Sequence, residues 1–190
     1  MTQIIFVRHA EPQSDWAEDA TRPLVPFGKF MAQKLPDMFP DIAVDAFYSS
    51  PYRRSVDTVT PWAAARGQEV QTDARLRERQ YCAPDAYGDE LLEKRWADFS
   101  FAEEGGECLA EVQTRNVAAL QEILALYDGK TVVIGTHGTA LSTMLHYYDQ
   151  SFGCAGFRRI RAWLPYVVRV DFVGQVYHAR KELFWMKAHD

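Results

Sequence analysis

Gln3-Ile4-Ile5-Phe6-Val7-Arg8-His9, near the start of the chain, is a short run of β-branched and aromatic residues that stops abruptly at two polar ones. Unbroken apolar character over so few positions is the mark of a strand buried on both faces, as in a parallel sheet. Two further runs behave alike. Thr131 to Gly135 ends in Thr136, His137 and Gly138, and Ala46 to Ser49 leads into Ser50 and Pro51. Helical patterns fill the intervals. Ser50 as an N-cap and Pro51 at the first helical position open a helix predicted from Tyr52 to Arg66. Glu107 to Tyr127 sets Leu109, Val112, Leu120, Ile123 and Leu124 at helical steps between glycines. Thr139 to Tyr148 and Gly28 to Phe39 are also helical, the second with Pro36 expected to kink or shorten it. Later, Tyr166, Val168, Val170 and Phe172 alternate with Val167, Arg169 and Asp171, a half-buried strand that Gly174 turns back into Gln175 to Ala179. Strands alternating with helices predict an α/β fold. Residues 1–190 form a single domain with a mainly parallel central sheet, helices on both faces and an antiparallel edge.

Composition agrees with one folded unit. Hydrophobic residues make up 47% of the 190 positions, aromatics 13% and charged residues 25%, which excludes a disordered chain or a collagen-like repeat. The first apolar run is too short to span a membrane, and no basic lead-in marks a secretory signal. Three widely spaced cysteines, Cys82, Cys108 and Cys154, read as free thiols in a reducing compartment, so a cytoplasmic location is expected. A net charge of −5 argues against nucleic acid or anionic lipid as partner, since both are bound by neutralising phosphates. Any anion site must therefore be a local pocket.

In an open α/β sheet the ligand crevice lies beyond the carboxyl ends of the strands. There the sequence delivers Arg8 and His9 after the first strand, Arg54 on the helix after Ala46–Ser49, and His137 after Thr131–Thr136. Any one of these is unremarkable at a strand end. Together with a helix amino terminus near Pro51 they suit a small dense anion such as phosphate, with small residues Ala10 and Gly138 letting backbone approach it. The two imidazoles are expected to flank a single tetrahedral ion.

Val7-Arg8-His9-Ala10-Glu11 resembles the RHG signature of the histidine phosphatase superfamily, which includes the cofactor-dependent phosphoglycerate mutases. Ser49-Ser50-Pro51-Tyr52-Arg53-Arg54 with Thr58 is similar to its second arginine motif, Arg77-Glu78-Arg79-Gln80-Tyr81 to its acid motif, Gly105-Gly106-Glu107-Cys108 to its GGES turn, and Thr136-His137-Gly138 to its second histidine motif. The resemblance implies His9 as the nucleophile, Glu78 as general acid and base, and Arg8, Arg54, His137 and backbone near Gly138 as holders of the phosphoryl oxygens. Departures are visible. Ala10 stands for the usual glycine, a mild change if its φ stays negative. Asp15 falls where an asparagine often donates to the phosphate, and Val25-Pro26 replaces a common threonine.

The implied activity is that of a metal-independent phosphatase that hydrolyses a small phosphorylated metabolite through a phosphohistidine and needs no cofactor. A phosphoglycerate mutase is the alternative within the enzymes; the long insertion of the family's mutases between the arginine and second histidine motifs is missing here. A phosphate-binding regulatory module without turnover is the alternative of another class. Arg79 and Tyr81, close after the acid, are candidate contacts for the rest of the substrate. The aromatic-rich segment at about 80–104, with Tyr87, Trp96, Phe99 and Phe101, reads either as a lid or as a satellite helix burying Leu91, Leu92 and Trp96. Arg158, Arg159 and Arg161 form a basic cluster that could extend the anion site or simply be solvated, while His146, His178 and His189 are read as non-catalytic.

Overall fold

The computed structural model describes residues 1–81 and 88–188; Cys82, Tyr87 and His189 lie outside the described residues. Its sheet contains β1 (Thr2–Arg8), β2 (Ala46–Ser49), β3 (Val70–Thr72), β4 (Thr131–Thr136), β5 (Trp163–Val173) and β6 (Val176–Lys187), in the order β3-β2-β4-β1-β5-β6. β1 to β4 run parallel, and β5 and β6 add antiparallel strands at one side. The helices are α1 (Pro26–Met38), α2 (Arg53–Ala65), α3 (Asp89–Ala97), α4 (Leu109–Leu126), α5 (Gly138–Tyr148) and α6 (Cys154–Ile160). The expected α/β class, with helices on both faces, is what the chain adopts.

The alternation of side chains along a strand divides the core in two. Ile4 and Phe6 of β1, with Val132 and Ile134 of β4, join Leu120 and Ile123 of α4 and Leu141 and Met144 of α5. Ile5, Val7 and Val133 face the other way, onto Leu35 of α1 and Val59 and Trp62 of α2. Both faces being covered, the strands carry no polar stripe, which is why short apolar runs located them.

Some elements differ from the sequence reading. β5 is not half-buried: Val167 is 0% and Asp171 5% exposed, because the strand lies between β1 and β6 under helices. Its polar positions answer each other, Arg169 Nη2 donating to Asp171 Oδ2 at 3.1 Å. α2 begins at Arg53 rather than Pro51, and α1 continues two residues past Pro36. α3, α6 and β3 were not assigned by periodicity; α3 falls in the segment read as lid or satellite, and buries Leu92 and Arg95. α4 starts with a reciprocal cap in which Glu111 N donates to Cys108 Sγ and Cys108 N donates to the Glu111 carboxylate at 2.9 Å, so a cysteine serves where serine is usual.

Candidate active site

Register brings the chemistry together. Ser49 of β2 and Val7 of β1 both stand opposite Gly135 of β4, and beyond them His9 N donates to Thr136 O at 3.1 Å and Ser50 N to Gly135 O at 3.0 Å. Three strands thus end side by side and present His9, Ser50 and His137. A cavity of about 240 Å³ opens there, lined among others by Arg8, His9, Asp19, Arg22, Arg54 and Glu78.

His9 is 6% exposed. Its Nδ1 lies 2.8 Å from Ala10 O, and Arg54 Nε lies 3.2 Å from its Nε2. A carbonyl can only accept and a guanidinium only donate, so the proton sits on Nδ1 and the lone pair on Nε2. Burial first, then the charges of Arg54 and Arg8, holds this imidazole well below its ordinary value of 6.5 and therefore neutral. Ala10 itself is buried, its N–H donates to Thr58 Oγ1 at 2.9 Å, and no described non-glycine residue has positive φ, so its replacement of glycine is accommodated.

His137 is also held neutral, by burial and then by Arg54. Its ring centroid is 5.3 Å from that of His9, edge to face. The two rings expected to flank an ion are direct neighbours, and His137, 0% exposed, has its Nε2 2.7 Å from Ser50 Oγ. Among the described residues its Nδ1 has no hydrogen-bond partner. Ser50, read as a helix cap, instead bridges His137 and Tyr52 N.

Linkage gives these buried imidazoles a measurable cost. In the unfolded chain they protonate near 6.5, whereas in the fold they resist protonation, so their contribution is complete above 6.5 and is lost as pH falls below it. Each should remove about 1.4 kcal/mol of stability per pH unit below that point. Thermal melts should show Tm falling between neutral pH and mildly acidic buffer, and His137→Gln should flatten that slope.

Arg8 Nη1 donates to Ile160 O at 2.6 Å and Arg161 O at 2.9 Å. Burial, opposed by Glu78, pulls this guanidinium down to about 10, so it stays charged at neutral pH. A Cβ on Gly138 would stand 3.2 Å from Arg8 Nη2, so the guanidinium would have to shift by a few tenths of an ångström to admit a side chain there. Gly138 and Thr139 line the cavity at the start of α5, and Arg54 lines it from the first turn of α2.

Glu78 is 9% exposed. Oε1 accepts from Arg79 N at 2.7 Å and Ala140 N at 3.1 Å, and Oε2 from Thr139 N at 3.0 Å. Neighbouring arginines do not reach it: Arg75 pairs with Asp73 and Glu122, Arg77 with Glu107, and Arg79 with Glu103. Arg115 Nη2 donates to Glu78 O at 3.0 Å, and Arg115 also pairs with Glu107, so the acid's backbone is anchored through the GGES-like turn.

A smaller compartment of about 60 Å³ adjoins the first, sharing Tyr81, Thr139, Phe157 and Arg161 with it and adding Leu92 and Trp96. Arg79 and Arg95 pair with opposite oxygens of Glu103, and Arg79 lies 4.7 Å from the Tyr81 ring centre. Of the basic cluster, Arg161 borders both compartments, while Arg158 and Arg159 pair with Glu93 and Glu182. Asp15 is exposed and lies outside the lining. His146 packs against Trp96 and Phe99. Asp19 and Arg22 reach the cavity from the loop before α1 and carried no sequence signal, because nothing in local spacing reports where a loop folds back.

Anion-compatible guanidinium groups around a neutral buried imidazole, at the carboxyl ends of parallel strands, define an enzyme of phosphoryl transfer. The model of the histidine phosphatase superfamily (branch 1) matches residues 4–178. The chain belongs to that superfamily, and its enzyme class is that of the phosphoric monoester hydrolases of histidine phosphatase type. Among curated relatives, it is 30% identical over 159 residues to phosphoserine phosphatase 1 of Hydrogenobacter thermophilus, covering 76% of this chain and 74% of that one. It is 27% identical over 168 residues to the probable phosphoglycerate mutase GpmB of Salmonella choleraesuis, with the same coverage. Among solved structures, YhfR of Bacillus stearothermophilus matches with a TM-score of 0.77 at 22% identity, over 94% of this chain and 95% of that one, which bears on the fold.

Proposed function

We propose that the chain hydrolyses a small-molecule phosphomonoester in two steps through a phosphohistidine on His9. One observation carries this reading: the neutral His9 ring lines the cavity with its Nδ1 proton engaged by Ala10 O and its Nε2 lone pair accepting from Arg54 Nε at 3.2 Å, a bond that Nε2 gives up when it attacks. In the first step the Nε2–P bond forms while the P–O bond to the alcohol breaks, and Glu78 gives a proton to the departing oxygen. In the second, water attacks phosphorus, Glu78 takes its proton, and the N–P bond breaks with the electron pair returning to Nε2. Arg8 and Arg54 supply positive charge to the phosphoryl oxygens, and the first turn of α5 shapes the backbone around them. These steps use no metal and no organic cofactor.

The alcohol part of the substrate occupies the smaller compartment, where Arg79 and Tyr81 stand. Segment 80–104 would act as the lid of that compartment, through the part of it that includes α3. Hydrolysis is preferred to the mutase alternative because the sequence between Arg54 and His137 lacks the long insertion of the family's mutases. Among the described residues no helix is long and apolar enough to cross a membrane, and three scattered cysteines support a cytoplasmic setting. Phosphate release from p-nitrophenyl phosphate, phosphoserine and 3-phosphoglycerate, followed beside isomerisation of 3-phosphoglycerate, tests the proposal. Release without isomerisation is expected; isomerisation would favour a mutase, and phosphate binding with no turnover a regulatory module.

A further inference from the structure

Asp19 sits in the short turn Asp19–Thr21, between Gln13 and Leu24. The base of this loop is tied, Gln13 N donating to Pro23 O at 2.9 Å and Pro12 bridging Leu24. The hydrogen bonds nearer its tip are internal to it: Trp16 Nε1 donates to Thr21 Oγ1 at 3.0 Å, and Thr21 Oγ1 to the Glu18 carboxylate at 2.9 Å. Asp19 makes the bonds that leave the loop. Arg54 Nη1 donates to Asp19 O at 2.6 Å and lies 3.1 Å from Oδ1, and Nη2 donates to Oδ2 at 3.2 Å. With Nε turned to His9, the guanidinium has committed its nucleophile-facing edge and its outward fork at once.

That fork is the part of an arginine that grips two oxygens of a phosphoryl group. A carboxylate and a phosphoryl dianion cannot share it without repulsion. Asp19 has a second cation within reach, Arg22 Nη2 at 3.2 Å, so it can release Arg54 and keep an ion pair. We infer that Asp19 is a positioning residue acting through Arg54: its carboxylate holds the fork that phosphoryl oxygens must take, and thereby sets how tightly the cavity binds phosphate and how readily product leaves. Its meaning for turnover rests on the proposed phosphatase chemistry; its meaning for anion binding does not.

Equilibrium binding of inorganic phosphate to the wild-type protein and to Asp19→Asn, by calorimetry, is the direct test, with steady-state kinetics on p-nitrophenyl phosphate alongside. Asparagine keeps the backbone bond and removes the competing charge. The Kd for phosphate should fall about tenfold, the scale of one lost charge contact near the surface, and KM should fall with it. Asp19→Glu, which restores the charge, should return Kd towards the wild-type value. A Kd and KM that rise would make Asp19 a clamp that orients Arg54 for the substrate, and values that do not move would make the contact irrelevant; either overturns the inference, as does a glutamate variant as tight as asparagine. Asp19→Ser serves in place of asparagine if that variant loses its thermal transition. Tighter phosphate binding without turnover in either protein would remove the phosphatase reading and leave this one; turnover with an unmoved Kd would do the reverse.

Discussion

His9→Ala is expected to lower kcat on p-nitrophenyl phosphate by more than about 10⁴-fold, the scale seen when a covalent nucleophile is removed. His137 cannot take its place, being fully buried with its Nε2 at Ser50. The same variant should lose the acid-labile, alkali-stable label that wild-type enzyme acquires from a phosphorylated substrate in a rapid quench. Binding of inorganic phosphate should survive within about tenfold, because Arg8 and Arg54 remain to neutralise it. That separation of binding from chemistry is what distinguishes a nucleophile from a pocket residue. A labelled alanine variant would refute the assignment.

The second large effect is a loss of about 10²–10⁴-fold in kcat for Glu78→Gln on alkyl phosphates, the usual worth of proton transfer to a leaving group. On p-nitrophenyl phosphate the first step, read as the burst of nitrophenolate, should lose much less, since nitrophenolate departs without a proton, while the second step, in which Glu78 takes the proton of water, is shared by both substrates. The dependence on leaving group is the informative part. Glutamine must place its amide nitrogen against Thr139 N, or against Arg79 N and Ala140 N, setting donor against donor at a cost of about 1–3 kcal/mol. Such a local disturbance would slow all substrates alike. Equal losses in the first step on both substrate types would therefore assign Glu78 a purely structural role in joining the acid loop to α5.

Much of this architecture was legible before any coordinates. β1, β2 and β4 could be located because a strand covered on both faces must be apolar at every position, and their ends could be found because the apolar run simply stops. α4 announced itself by its stripe and its bounding glycines. Arg8, His9 and His137 were identifiable because they stand at the ends of those strands, Arg54 because it opens the helix after β2, and Glu78 because of the motif around it. The terminal strand misled: Arg169 and Asp171 imitate a solvent-facing stripe, yet each answers the other inside a covered sheet. α3 and α6 are short and mixed in composition, and Asp19, Arg22 and Phe157 line the cavity through the path of loops and small helices that no period encodes.

Periodicity and strand ends were enough to dictate the layered sheet, the strand ends that carry the imidazoles, and a pocket suited to a compact anion, because burial leaves a chemical signature on every residue it involves. Electrostatic detail belonged to the third dimension. Which nitrogen of His9 bears the proton, which ring lines the cavity, and which carboxylate answers Arg54 all depend on approaches of a few ångströms between residues far apart in the chain. Those distances set desolvation and hydrogen bonding, and local sequence does not encode them.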